Sequence, residues 1–298
     1  MRKSKRNLRK VRITSYLLLL VSGVIHIGHR GTISKNKIDK TESVIERSRA
    51  HYGVVPLRPG EDGRCWFHGQ LPHSKDREIF ERLGGQVRGC ERAPVLDAQY
   101  TSEAEICHCT APRGSEFSQH VLEIGSADGQ YLSNLLFFEM QMNWRGVCVE
   151  GNPSSYTMLK VNRPDCITVN AVIGAEGGKR LFYTFESPSS WEIGMSCMQG
   201  TSCGSSDKEA QAYADENKLT LKKDFVVMRR LSDIFAAHHV SEFGWIMVDV
   251  EGAEDIVIPT AVTAKFISYE GAHDKARVHL RKGGYEEAFE VGTSSTRR

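Results

Sequence analysis

His120-Val-Leu-Glu-Ile-Gly-Ser-Ala-Asp-Gly129 reads as a short apolar run closed by a glycine turn, and a helix-like stretch, Leu132 to Met142, comes after it. The same unit then recurs in kind. Arg145-Gly-Val-Cys-Val-Glu150 is a second apolar run, ending in an acid and leading through Asn152-Pro153 into a helix pattern, Ser154 to Val161, that stops before Pro164. Ile167-Thr-Val-Asn-Ala-Val-Ile173 is a third. Phe225 to Met228, a helix at Ser232 to His239, Trp245-Ile-Met-Val-Asp-Val250 and Phe266-Ile-Ser-Tyr269 continue the series. Runs that are apolar along nearly their whole length and alternate with helices are the pattern of a parallel sheet covered on both faces. An α/β doubly wound sandwich is therefore expected over residues 119–298.

In such a sheet a ligand sits beyond the carboxyl ends of the strands, where strand order reverses. The residues at those ends are unusual. Glu123-Ile-Gly125-Ser-Ala-Asp128-Gly129 is an acid followed by two glycines that let the backbone turn sharply and approach a ligand. Its spacing differs from the G-x-G-x-x-G turn that cradles a pyrophosphate. A carboxylate there repels phosphate and attracts an ammonium. Glu150 ends the second strand about 20 residues later, the place where an acid accepts hydrogen bonds from a ribose diol. The third strand ends at Asn170-Ala171, where an adenine edge is expected. Together they suggest a ribose ligand with a cationic amino-acid tail and no pyrophosphate, a description that S-adenosylmethionine fits.

Taken with Trp144-Arg-Gly-Val-Cys-Val-Glu-Gly-Asn-Pro153 and Trp245-Ile-Met-Val-Asp-Val-Glu-Gly-Ala-Glu254, the glycine-turn stretch resembles the FkbM-type methyltransferase domain, over about residues 119–291. The resemblance implies a Rossmann-like S-adenosylmethionine-dependent methyltransferase fold and O-methylation of a hydroxyl (or carboxyl) on a glycan, lipid or small molecule. It implies that Glu123, Gly125, Asp128 and Gly129 surround the methionine part of the cofactor, that Glu150 holds the ribose, and that Asn170 and Ala171 lie near the adenine. Ser126 and Asn152 belong to the same cofactor-binding set. Asp249 and Glu251 are expected to face the reacting centre. A catalytically inactive, membrane-tethered binding or trafficking factor is the alternative, since the Star-type proteins of insects resemble the same family.

Methyl transfer to oxygen asks an enzyme to align the oxygen and remove its proton. Asp249 and Glu251 share one face if the strand persists through Val250. One of them is a candidate base or a ligand for a divalent cation that acidifies the hydroxyl. His273 is the other base candidate. The long insert before Phe225 holds Ser187-Pro-Ser-Ser190, Trp191, Met195 and Ser196 to Ser206, and reads either as a substrate-facing lid or as a passive loop tied by Cys197 and Cys203. Asp207 to Leu219 reads as a helix capped by Asp207.

The N-terminal part carries the compartment signal. No acidic residue precedes Asp39, and Arg2, Lys3, Lys5, Arg6, Arg9, Lys10 and Arg12 come before an apolar run, Ile13 to Ile27. The expected organisation is a basic cytosolic tail (1–12), a signal-anchor across the membrane (13–29), a stalk (30–60) and a cysteine-containing cap region (61–118) before the main domain. That gives a single-pass type II protein of the Golgi or endoplasmic reticulum. Secretion after signal cleavage and an organelle transit peptide stay open. Asp76 to Leu83 and Ala93 to Ile106 give short helical hints within the cap. Four of the eight cysteines lie before residue 110, a region that gains from disulfides in an oxidising lumen. Cys148, inside an apolar strand, is expected as an inert buried thiol. With 39 basic against 37 acidic side chains, 40% hydrophobic and 26% charged residues, the chain is neither broadly disordered nor a multi-spanning membrane protein. The near-neutral charge argues against a nucleic-acid partner.

Overall fold

The expected parallel sheet is present with five strands, beside two smaller sheets, one antiparallel and one mixed. The computed structural model describes residues 43–68, 75–94, 103–113, 118–130, 133–186, 196–260, 264–271 and 274–287. In chain order the elements are α1 (Val44–Tyr52), β1 (Asp62–Phe67), α2 (Lys75–Arg82), β2 (Gln86–Pro94), β3 (Glu103–Thr110), β4 (His120–Ile124), α3 (Leu136–Met142), β5 (Arg145–Glu150), α4 (Pro153–Asn162), β6 (Ile167–Asn170), β7 (Val172–Ile173), β8 (Gly178–Glu186) and β9 (Cys197–Met198). Then come α5 (Asp207–Asn217), β10 (Thr220–Arg229), α6 (Leu231–His238), β11 (Phe243–Val248), α7 (Glu254–Val257), β12 (Ala264–Tyr269) and α8 (Asp274–Lys282).

The main sheet runs β12-β11-β4-β5-β6, all parallel. β4 is the first strand of the series and lies between β5 and β11, so the order reverses at the gap between β4 and β11. β11, Phe-Gly-Trp-Ile-Met-Val, is buried at every position, which is why its sequence shows no polar alternation. α3 is buried on nearly all sides, because the sheet covers one face and the cap the other. Phe67 of the cap stacks on Phe137 of α3 with ring centroids 4.4 Å apart. Phe67, Phe80, Phe137, Phe138 and Trp245 belong to one apolar cluster.

The cap is a three-stranded antiparallel sheet, β1-β3-β2. Cys65–Cys109 and Cys90–Cys107 cross-link it. Ala93 to Ile106, which hints at helix in the sequence, is strand at both described ends, because β2 is mostly exposed and is held by backbone pairing and a disulfide rather than by an apolar face. α1 falls within the stretch expected to be a stalk. Ser43 and Glu46 form a capping box at its start, and Val44, Ile45 and Tyr52 are buried against Trp66 and Leu136. The third sheet, β7-β10-β8-β9, carries the ten-residue β10 antiparallel to β8, of which only Phe225 to Met228 is legible as a strand. α5 is capped by the Ser206 side chain rather than by Asp207. Cys148 is not a free thiol: it is bonded to Cys166, since β5 and the entry to β6 bring the two Cα atoms to 6.4 Å.

Among the described residues no helix is long and apolar enough to cross a membrane. The expected signal-anchor at 13–29 lies outside them, as do Ser187 to Ser190, Trp191, Met195 and His273.

Candidate functional site

The turn after β4 is built from backbone and buried charge. Gly125 has φ +88°, and a Cβ there would stand 1.6 Å from the Asp249 carbonyl oxygen, so only glycine lets β4 and the end of β11 approach this closely. Gly129, with φ +78°, has the same need for another reason: its Cβ would meet Leu159 at 2.5 Å and Arg163 at 2.8 Å. The Arg163 guanidinium is fully buried and spans Glu139 (2.7 Å from Nε), the Gly129 carbonyl (2.9 Å), Ser133 (3.0 Å) and Glu123 (3.5 Å). Glu123 accepts from Ser133 Oγ at 2.9 Å and from the Asn134 amide at 3.1 Å. Burial pushes its carboxyl up, and Arg163 pulls it back. The cap also reaches this turn: His68 Nε2 donates to the Gln130 carbonyl at 2.7 Å, and burial pushes His68 down to about 4.

Glu150 ends β5 beside that turn. Its carboxylate accepts from the Asn152 amide at 2.6 Å and from the Ala127 amide at 2.8 Å. Burial outweighs these bonds and pushes its carboxyl up to about 7. On the far side of the reversal, β11 ends at Val248, so Asp249 and Glu251 are not alternate residues of one strand. Glu251 has φ +53°, a left-handed conformation costly for a residue with a Cβ. The turn is held by Ser202, whose amide donates to the Glu251 carbonyl at 3.3 Å and whose hydroxyl donates to the same oxygen. Ser202 sits in the loop closed by Cys197–Cys203. Burial, then Glu270, pushes Asp249 well above the usual carboxylate range. Burial, with Glu270 and Glu254, pushes Glu251 up to about 7.

These strand ends enclose a cavity of about 290 Å³. Glu123, Glu150, Asp249, Glu251 and Glu270 line it, and no lysine, arginine or histidine is among the described lining residues. The family model of the methyltransferase FkbM domain matches residues 123–286, more than half of the chain. The chain belongs to the FkbM methyltransferase domain family. No curated protein and no solved structure matches it.

Within the FkbM domain the expected site residues separate into two groups. Glu123, Gly125, Ser126, Glu150, Ala171, Asp249 and Glu251 line the one cavity. Asp128, Gly129, Asn152 and Asn170 stand behind it, holding its walls. Asp128 Oδ1 accepts from the Gln130 amide. Asn152 caps α4 through the Ser154 amide at 2.9 Å, and Asn170 Nδ2 donates to the Glu150 carbonyl at 2.8 Å. His273 lies outside the described residues.

The lining suits S-adenosylmethionine, whose sulfonium and ammonium are cations and which carries no phosphate. A divalent cation finds no comparable donor set. Among the described residues, the groups close enough to hold a metal are Cys90–Glu105–Cys107 and Glu139–Cys148–Cys166, and in each the cysteines are spent in disulfides. Two residues of the candidate site, Glu270 in its lining and Arg163 behind it, escape the sequence reading. Glu270 follows the fifth parallel strand, and the strand-end rule that picks out Glu150 applies to it equally. Arg163 carries no such signal, since an arginine before Pro164 at a helix end reads as solvated.

Proposed function

We propose that the chain is an S-adenosylmethionine-dependent O-methyltransferase acting on a hydroxyl of a glycan, lipid or small molecule within the secretory pathway. The observation that carries this reading is the gathering of Glu123, Glu150, Asp249 and Glu251 from three strands around one cation-free cavity at the strand-order reversal. S-adenosylmethionine supplies, when bound, a methyl group already activated by the sulfonium charge. The chain's own residues do the rest. Glu150 keeps lone pairs free after accepting two amides and meets the ribose hydroxyls. Glu123, half-neutralised by Arg163, faces the ammonium end. Asp249, held well above the usual carboxylate range by burial, and Glu251, pushed up to about 7, are suited to take a proton from the acceptor. A wall of carboxylates repels a carboxylate or phosphate acceptor, which favours a neutral hydroxyl over the carboxyl alternative.

All eight cysteines are paired in four disulfides, which supports folding in an oxidising compartment. A basic tail and apolar run at the N-terminus support a type II anchor that leaves the FkbM domain in the lumen of the Golgi or endoplasmic reticulum.

Calorimetry on the full chain tests the cofactor. The wild type is expected to bind S-adenosylmethionine and S-adenosylhomocysteine. Glu150→Gln is expected to weaken both about 10-fold, near 1.4 kcal/mol, with an unchanged circular dichroism spectrum. No binding heat from a folded wild type sinks the reading. Gly125 is unsuited to such a test, because any side chain there collides with the Asp249 carbonyl and breaks the turn along with the cavity.

A further inference from the structure

Phe225 is 72% exposed and Val227 43%, and the two stand on one face of β10, two residues apart. Further along, that face is covered. Leu221 of β10 packs with Tyr183 and Phe185 of β8 and with Ala210 and Ala214 of α5, so α5 shelters one end of the face and leaves Phe225 bare. Leu181, directly across from Phe225 on β8, is half-buried.

The edge of β10 is open along the same stretch. β8 pairs with residues 220–228, but on the other side β7 meets only Met228 and Arg229. Among the described residues, the outward backbone groups of 220–227 therefore have no strand partner, and 222–225 are exposed at every position. Lysines on an edge ordinarily keep other strands away. Here the Lys223 charge is held within its own chain, by Asp207 at 2.8 Å, and Lys222 is followed two residues later by Asp224 on the same face.

A strand that pairs with this edge must offer an acid to Lys222, a base to Asp224 and an apolar side chain to Phe225. β10 of a second copy offers all three. In an antiparallel pairing about a two-fold axis at Lys223, Lys222 faces Asp224 of the second copy and Asp224 faces its Lys222. Leu221 likewise faces Phe225 of the second copy, and Phe225 its Leu221. Directly opposite residues share a face, so the apolar pairs lie on the α5 side and the ion pairs on the other. Moving the axis by one residue sets Asp224 against Asp224 or Lys222 against Lys222, and loses both sets of pairs.

We propose that β10 is a dimerisation strand, through which two copies join antiparallel over residues 220–226 into one continuous sheet. That sheet includes β8 and β9, whose Phe182 and Met198 line the cavity, so the shared sheet backs the cavity of each copy. The inference stands apart from the cofactor reading. A short ladder with one exposed aromatic ring per copy is a small contact, and a dissociation constant of about 1–10 μM is expected.

Sedimentation velocity of the full chain, in mild detergent and from about 0.5 to about 100 μM, reads the association state. The wild type is expected to pass from monomer to dimer across that range. Asp224→Lys and Lys222→Asp each place like charges opposite one another and are expected to raise the dissociation constant about 10-fold or more. Phe225→Ser is expected to raise it by about the same factor. An equimolar mixture of the two charge variants recovers the dimer, and so does the double variant carrying both reversals, because each sets lysine opposite aspartate again. A general change in surface charge or in folding does not produce that recovery. A wild type that stays monomeric to the top of the range overturns the proposal, as does a dimer that survives all three single substitutions. Failure of the mixture to recover a dimer lost in both charge variants overturns the pairing. Assemblies larger than a dimer contradict it as well, since a two-fold contact closes on itself.

Discussion

Glu150 is 7% exposed, and burial pushes its carboxyl from an ordinary 4.5 up to about 7. Between those values the folded chain holds more protons than the unfolded one. This contribution to stability is therefore fully present below about pH 4.5 and is lost as pH rises through about 7. Glu251 works in the same direction, its effect reduced by partial exposure. His68, pushed down to about 4, works oppositely, chiefly below its ordinary 6.5. Above about pH 7.5 the acids act alone, and between about pH 6.5 and 7.5 the fading His68 contribution offsets only a minor part of theirs. Unfolding by urea is expected to show the ligand-free chain about 1–2 kcal/mol less stable at pH 8 than at pH 6.5, with Glu150→Gln removing roughly half of that difference. A flat profile in the wild type contradicts the burial of these carboxyls. Arg163 makes the companion case: Arg163→Met leaves Glu123 and Glu139 without their shared cation in a closed site and is expected to cost about 3–5 kcal/mol in the same assay.

The loop closed by Cys197–Cys203 joins the insert to the acid-bearing turn. Ser202 binds the Glu251 carbonyl, while Ser196 and Met198 line the cavity. The double substitution Cys197→Ser and Cys203→Ser is expected to lower stability by about 2 kcal/mol through the freed unfolded chain. It is also expected to weaken S-adenosylmethionine binding several-fold, because the Glu251 turn loses its support; unchanged affinity in calorimetry rules out that coupling. Among the elements, β4, β5 and β11 were legible because strands buried on both faces must be apolar throughout. β10 was legible only in part, since Lys222, Lys223 and Asp224 interrupt its apolar pattern while nine paired positions with β8 hold the backbone. Ala93 to Ile106 was read as a helical hint, yet its described ends belong to β2 and β3, because the pairing of those two strands and a disulfide between them fix the backbone without a local period in the sequence.

Across the whole molecule, cap and parallel sheet share one apolar cluster in which Phe67 and Phe80 of the cap meet Phe137, Phe138 and Trp245. They are expected to unfold together. Phe137→Ala should cost about 3–5 kcal/mol and lower the hydrogen-exchange protection of β1 and β4 amides by the same amount. Loss of protection in β1 alone would show a cap that opens independently. The shared cluster also bears on the site, since His68 of the cap holds the Gln130 carbonyl at the end of the glycine turn.

The order of apolar runs, glycines and strand-end acids by itself determined the α/β class, the family, and where to look for a candidate site, at the carboxyl ends of the strands. Those features are local: a strand buried on both faces and a turn that needs glycine write themselves into consecutive residues. Tertiary structure alone decided which acids share a cavity, because Glu270 meets Asp249 only through the pairing of β11 with β12, and which residues stand behind it, as Asn152 and Asn170 do. It alone paired Cys148 with Cys166 and buried Arg163 between two carboxylates. Charge burial and disulfide partners depend on distances between segments far apart in the chain, and no local pattern records them.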